Sequence, residues 1–238
     1  MNFNKKWSKR HYDEFIEYLK SFEDLKYKNF NSRIMNDKTC EFIGVRTPIL
    51  RKIAKEIAKN DYKDFLKFCE YKFFEEKTIH AFIINYAKTN YNELIKMIKN
   101  FIPHISNWAL TDTVSKKYPQ IIENFNSAFE EFEKFTKSEN PWEIRLGLIF
   151  LMKNYITFEY IEKILENCKI TKSEHYYVKM AVAWLVTECF CKFPKITEDF
   201  LKSKVLEKWT QNKAIQKIKE SFRVNETTKK RLEMLKLA

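Results

Sequence analysis

Two glycines and five prolines in 238 residues leave little material for tight turns. Hairpins and barrels spend glycine at nearly every corner, so this scarcity excludes them, along with glycine-rich phosphate loops. The five cysteines (Cys40, Cys69, Cys168, Cys189, Cys191) are odd in number and scattered. They read as reduced thiols rather than a disulfide framework. Cys189 and Cys191 lie close, but no further histidine or cysteine clusters with them, so no metal or cofactor is expected. The opening residues, MNFNKKWSKRHYDEF, lack the apolar core of an export signal. The most apolar segment, 176–193, carries Lys179 and Glu188 and reads as a core helix, not a membrane span. A soluble, cytoplasmic, all-α chain is expected.

Apolar residues make up 45% of the chain and aromatics 16%, enough for a large core. The net charge is +12, unevenly spread. Residues 1–59 carry +6 and residues 202–238 carry +7, against −1 for the stretch between them. Basic ends around a neutral centre suit a polyanion gripped at two places, and nucleic acid is the commonest such partner. Solvated lysine-rich helix faces are the plainer alternative.

Apolar positions recur at helical spacing almost throughout. The pattern predicts helices over 9–21, 23–35, 47–59, 62–71, 74–88, 91–101 and 107–117 in the first half. It continues over 119–136, 140–154, 158–168, 174–193, 196–204, 211–222 and 226–236. Short amphipathic segments (91–102, 158–169, 196–206) follow longer apolar ones at intervals of about 30–40 residues. That alternation favours a right-handed superhelical α-α solenoid of HEAT-like helix pairs, with residues 1–238 as a single repeat domain. A compact orthogonal bundle is the alternative.

Four residues stand out where helices should be buried or inward-facing. Trp108 and Asp112, in SNWALTDTV, are four apart and project from one helix face. Trp184 lies in the apolar 174–193 helix, one turn before Glu188. Arg145 sits in NPWEIRLGLIFLMKNY, where Asn140 and Pro141 are good starting residues and Glu143 completes a capping-box pattern. It is the only arginine between Arg51 and Arg223. Its planar guanidinium suits a phosphate or a carboxylate on a neighbouring helix, and the residues alone leave both open. If the helix edge reaches a concave face, Arg145 need not be buried, with Trp142 packing it from the side. Tryptophan faces attract cations, and a carboxylate beside them stabilises developing positive charge. Cleavage of the N-glycosidic bond of a cationic base needs that combination, because its transition state is oxocarbenium-like and the base departs neutral.

At these residues the chain resembles the AlkD family of DNA alkylation repair glycosylases, from about residue 30 to 222. FIGVRTPILRKIAKEI, SNWALTDTV, WEIRLGLIFLMKNY, YYVKMAVAWLVTE and NKAIQKIKESFRV match family segments in order. The resemblance implies excision of N3- and N7-alkylated purines from duplex DNA without a flipped-base pocket, and no cofactor. Asp112 would be the catalytic carboxylate, and Trp108 and Trp184 the aromatic walls. Arg145, Lys179 and Lys213 would hold DNA phosphates. Nothing in the sequence calls for an obligate protein partner, so a monomer is expected. The chain departs from the pattern at Ile34 (an aromatic is expected), Met180, Ala183 and Thr187. A non-catalytic HEAT-like module for distorted or branched DNA, or a protein-interaction scaffold, are the competing readings.

Overall fold

The computed structural model describes residues 1–4 and 6–238, which form fifteen α-helices and one short 3-10 turn. No strand occurs among the described residues. The one β feature is an isolated bridge between Glu41 and Phe73. All five cysteines are free, and no described helix is long and apolar enough to cross a membrane. The chain divides into two compact units. The first comprises Met1–Val114 with Tyr118–Gln120, and the second Ser115–Lys117 with Ile121–Ala238.

The first unit holds α1 (Lys9–Lys20), α2 (Leu25–Met35), α3 (Thr47–Lys59), α4 (Tyr62–Phe68), α5 (Phe74–Tyr86), α6 (Tyr91–Phe101) and α7 (Trp108–Val114). Its centre is α5, buried on every face from Phe74 to Ile84. It packs against α3, α7 and α6. A helix buried all round is expected to be apolar all round, yet α5 begins Phe-Glu-Glu-Lys. Both glutamates are consumed by backbone. The Glu75 carboxylate accepts from the amides of Ile43 (3.0 Å), Gly44 (2.8 Å) and Val45 (3.3 Å). Glu76 accepts from Glu70, Tyr71 and Phe73 amides and from the Tyr12 hydroxyl. Gly44 is required here, because φ is +98° and a Cβ would lie 2.7 Å from that of Lys28.

The second unit holds α9 (Phe125–Thr136), α10 (Pro141–Asn154), α11 (Ile161–Ile170), α12 (Tyr176–Lys192), α13 (Pro194–Lys202), α14 (Lys208–Glu220) and α15 (Glu226–Glu233). The short α8 (Pro119–Glu123) has its first two residues in the first unit and the rest in the second. Two long apolar helices, α10 and α12, pack on each other, with α9 against α10 and α14 against α12. Gly147 allows the α9–α10 approach, since a Cβ there would sit 2.7 Å from the Phe132 carbonyl oxygen. Phe132 and Phe150 stack across the same interface at 3.9 Å.

Several predicted boundaries need correction. The 62–71 helix ends at Phe68, because Tyr71 adopts φ 56° and the Glu76 carboxylate takes the amides that would have continued it. The 107–117 helix ends at Val114. There the Tyr118 hydroxyl donates to the Val114 carbonyl at 2.7 Å, and Asn85 Nδ2 donates to that of Thr113 at 2.9 Å. The 119–136 helix is two helices, broken at Asn124, which leaves the helical region at ψ 41°. The capping box at 140–143 is relayed. Asn140 caps Trp142, but Glu143 accepts from the Ser138 hydroxyl (2.7 Å), which in turn accepts from the Asn140 amide.

Candidate active site

In the first unit the site residues belong to α7, whose start is fixed from outside the helix. Asn107 Oδ1 accepts from the amides of Ala109 (3.1 Å) and Leu110 (3.3 Å). Its Nδ2 donates to Asp37 at 2.9 Å. Asp37 also accepts from the Ser106 hydroxyl and from the amide (2.9 Å) and hydroxyl (2.7 Å) of Thr39. Burial would raise the Asp37 pKa, but the hydrogen bonds from Ser106, Asn107 and Thr39 outweigh it and hold the carboxyl below its ordinary value. Lys77, itself buried, donates to Ser106 at 2.9 Å. A carboxylate and its donors therefore set where Trp108 begins.

From that start Trp108 and Asp112 follow one turn apart, both half-buried. Thr111 ties them locally, its hydroxyl bonding to the Trp108 carbonyl (2.7 Å) and to Asp112 Oδ1 (3.1 Å). The Trp108 indole N–H donates to the Ile34 carbonyl at 3.4 Å, linking α7 to the end of α2. Ile34, where an aromatic was expected, is 41% exposed. Phe30, one turn earlier on the same helix, is 60% exposed. The sequence reading missed Phe30, although the i, i+4 spacing would have found it.

In the second unit Arg145 is 4% exposed. The expectation that it need not be buried is overturned, because α12 closes over it. Its Nη1 donates to the Tyr177 carbonyl at 2.9 Å, and its guanidinium lies 6.0 Å from the Tyr177 ring centre. Trp142 meets Tyr177 at 5.4 Å and His175 at 5.0 Å. Burial and the neighbouring Arg145 charge push the His175 pKa down. Trp184 is half-buried on α12, and Glu188 one turn on is held bidentately by Arg223 (2.7 and 2.9 Å).

Lys179 and Lys213 come from different helices but share one ring. Their ammonium groups lie 5.5 Å and 5.9 Å from the centre of Trp209. Lys179 also pairs with Glu174 at 3.2 Å, and Lys213 donates to Gln216 at 2.9 Å. Tyr176 meets Trp209 edge-on at 5.6 Å and Tyr177 at 5.1 Å. Rings thus run without a gap from Trp142 through Tyr177 and Tyr176 to Trp209, along the starts of α10, α12 and α14. Such a basic-and-aromatic edge is of the kind that meets a nucleic-acid backbone. Sequence reading missed Trp209 and the Tyr176–Tyr177 pair, whose signal was their position in the first turns of helices.

Among the departures, Thr187 is buried and donates to the Ala183 carbonyl at 2.8 Å, so no side chain reaches outward there. Ala183 is fully buried and Met180 half-buried. No metal-holding group of His, Cys, Asp and Glu occurs among the described residues.

No curated protein matches the chain. The family model for DNA alkylation repair enzymes, by contrast, matches residues 15–218, a span that takes in α7, α10, α12 and all but the last two residues of α14. The chain belongs to the DNA alkylation repair enzyme family.

Proposed function

We propose that this protein is a DNA glycosylase that hydrolyses the N-glycosidic bond of cationic N3- and N7-alkylpurines in duplex DNA. Family membership supports a role in alkylation repair with DNA as the partner. The observation that most supports the catalytic part is α7: an indole and a carboxylate one turn apart, on a helix whose start Asp37 fixes. In this reading the bond between C1′ and the base nitrogen breaks with its electron pair leaving on the base, which thereby loses its positive charge. No general acid is needed. Asp112 stabilises the sugar cation that remains, water adds at C1′, and its proton passes to solvent. Trp108 and Trp184 present ring faces to positive charge. Lys179 and Lys213 hold backbone phosphates, and Arg145, oriented by its bond to the Tyr177 carbonyl, offers a phosphate only the part of its guanidinium that α12 leaves uncovered. The same proposal takes residues 1–238 as one HEAT-like repeat domain of the α-α solenoid type, acting as a cytoplasmic monomer.

The test is incubation with methylated duplex DNA at low salt, with free bases separated and quantified. Release of 7-methylguanine or 3-methyladenine above a protein-free control is expected. Salt-sensitive DNA binding with no base release would overturn the catalytic reading in favour of a DNA-binding module.

A further inference from the structure

The first unit carries a concavity that α7 does not line and that the repair reading does not use. An open cleft of about 470 Å³ is lined by α4, α5, α6 and the 3-10 turn at Ile102–His104. That volume lies in the range of small-molecule sites. Tyr71 and His80 form its inner wall. His80 is 4% exposed and lines the cleft, and its Nδ1 is 2.9 Å from the Tyr71 hydroxyl. His104 stacks on the other face of the arrangement, 3.6 Å from the Tyr71 ring centre at 20°. Tyr71 occupies the left-handed region at φ 56°, unusual for an aromatic residue, and Glu76 holds its amide there. Strain of this kind is kept where the surroundings over-determine it.

The hydrogen-bond roles follow from chemistry. Burial raises the Tyr71 pKa, so its hydroxyl keeps its proton, and burial drives the His80 pKa down to about 3, so its ring is neutral. The hydroxyl has no other acceptor, so it donates to Nδ1, and the ring proton then resides on Nε2. Nε2–H has no hydrogen-bond partner among the described residues, and His80 lines the cleft. Around it the rim offers more donors: Lys63, Lys67, Lys96 and Asn100. Glu93 lines the cleft as well, pairing with Lys63 at 2.7 Å and feeling the charge of Lys96, while Lys67 pairs with Asp64 at 3.2 Å. Tyr62, Leu66 and Met97 supply an apolar side. Lys9 and the other charges of α1 do not line it.

We infer that this cleft binds a small phosphorylated molecule with a planar or apolar body, of about mononucleotide size, its phosphoryl group held by Lys96 and its neighbours and its body against Tyr62, Leu66 and Met97. Three ammonium groups, Asn100 and the His80 N–H stand against one carboxylate, Glu93, on its lining, so an anion is selected, and the apolar side distinguishes an organic phosphate from the free ion. The site is independent of the glycosylase reading and survives its failure.

Calorimetric titration with AMP, inorganic phosphate and adenosine tests it, with Lys96→Glu as the variant, since Lys96 is exposed and not part of the core. Saturable AMP binding, weaker phosphate binding, no adenosine binding and at least about tenfold loss in Lys96→Glu are expected. A shift of the His80 Nε2 resonance on adding AMP to the wild-type protein places the ligand at the inner wall without any mutation. Adenosine binding as well as AMP, AMP binding unchanged in Lys96→Glu, an unmoved His80 resonance, or no AMP binding at about 1 mM would each overturn the inference. Displacement of bound AMP by a short DNA duplex would assign the cleft to backbone phosphate instead, and would equally overturn it.

Discussion

The two units differ in what ties their helix starts to the rest of the unit. In the first, buried carboxylates do it: Asp37 gathers the donors before α7, Glu75 the amides before α3, and Glu76 those before α5. In the second, Asn140 and the Glu207 carboxylate cap α10 and α14 locally, and rings and cations join the starts to one another: Trp142, Tyr177, Tyr176 and Trp209 bridge α10, α12 and α14, with Arg145, Lys179 and Lys213 placed on them. Carboxylate anchoring is directional and leaves amides stranded when it fails. Ring packing is non-directional and degrades gradually. The proposed catalytic carboxylate sits in the unit whose helix starts are tied by buried carboxylates, and the proposed phosphate-holding cations sit in the other.

The largest expected effect breaks that contrast at its strongest point. Glu75→Ala strands three amides near a fully buried position and should cost about 3 kcal/mol or more in urea unfolding. Equal tolerance of Glu75→Ala and a ring truncation such as Trp142→Leu would erase the distinction.

Acid tests the first unit's buried groups next. Because the folded pKa of His80 is depressed to about 3, its contribution is present above the unfolded value near 6.5 and is lost as pH falls below it. Stability should drop by about 1.4 kcal/mol per pH unit from this group alone, and His80→Gln should flatten the profile. Asp37, whose folded pKa is also lowered, adds to the loss only at lower pH, as it falls through the carboxylate range. Glu75 has the opposite sign. Its folded pKa is raised by burial despite the amide bonds, so its contribution is greatest at low pH and diminishes as pH rises through the folded value. Urea titrations across pH 4–7 read the sum, and an unchanged slope in His80→Gln would contradict this assignment.

The smallest effect belongs to the second unit. Lys213→Gln leaves Trp209 and Lys179 in place and should lower the salt dependence of DNA binding by about one counterion. A gel-shift series over salt concentration measures the slope.

Much of this was legible in the chain, and what was not had a common cause. The Asn140–Pro141 start and the length of α6 depend on local chemistry and were readable. The early end of α7 was not, because Tyr118 and Asn85 take its last carbonyls from outside the helix. The end of α4 was hidden for the same reason, since Glu76 captures the amides around Tyr71. Arg145 was readable as exceptional, but its burial beneath α12 was not, as nothing in its own helix encodes Tyr177. Lys179 and Lys213 were found from charge and resemblance. Their common ring, Trp209, is a tertiary fact.

Single-turnover release of 7-methylguanine from methylated duplex DNA by Asp112→Asn, with DNA affinity measured on the same preparation, tests the central claim most directly. The substitution keeps the size and the acceptor facing Thr111 while removing the charge that would stabilise the sugar cation. Release should fall by about a hundredfold or more with affinity kept within about threefold. Release within about threefold of the wild-type rate would contradict the assignment of Asp112 as the catalytic carboxylate.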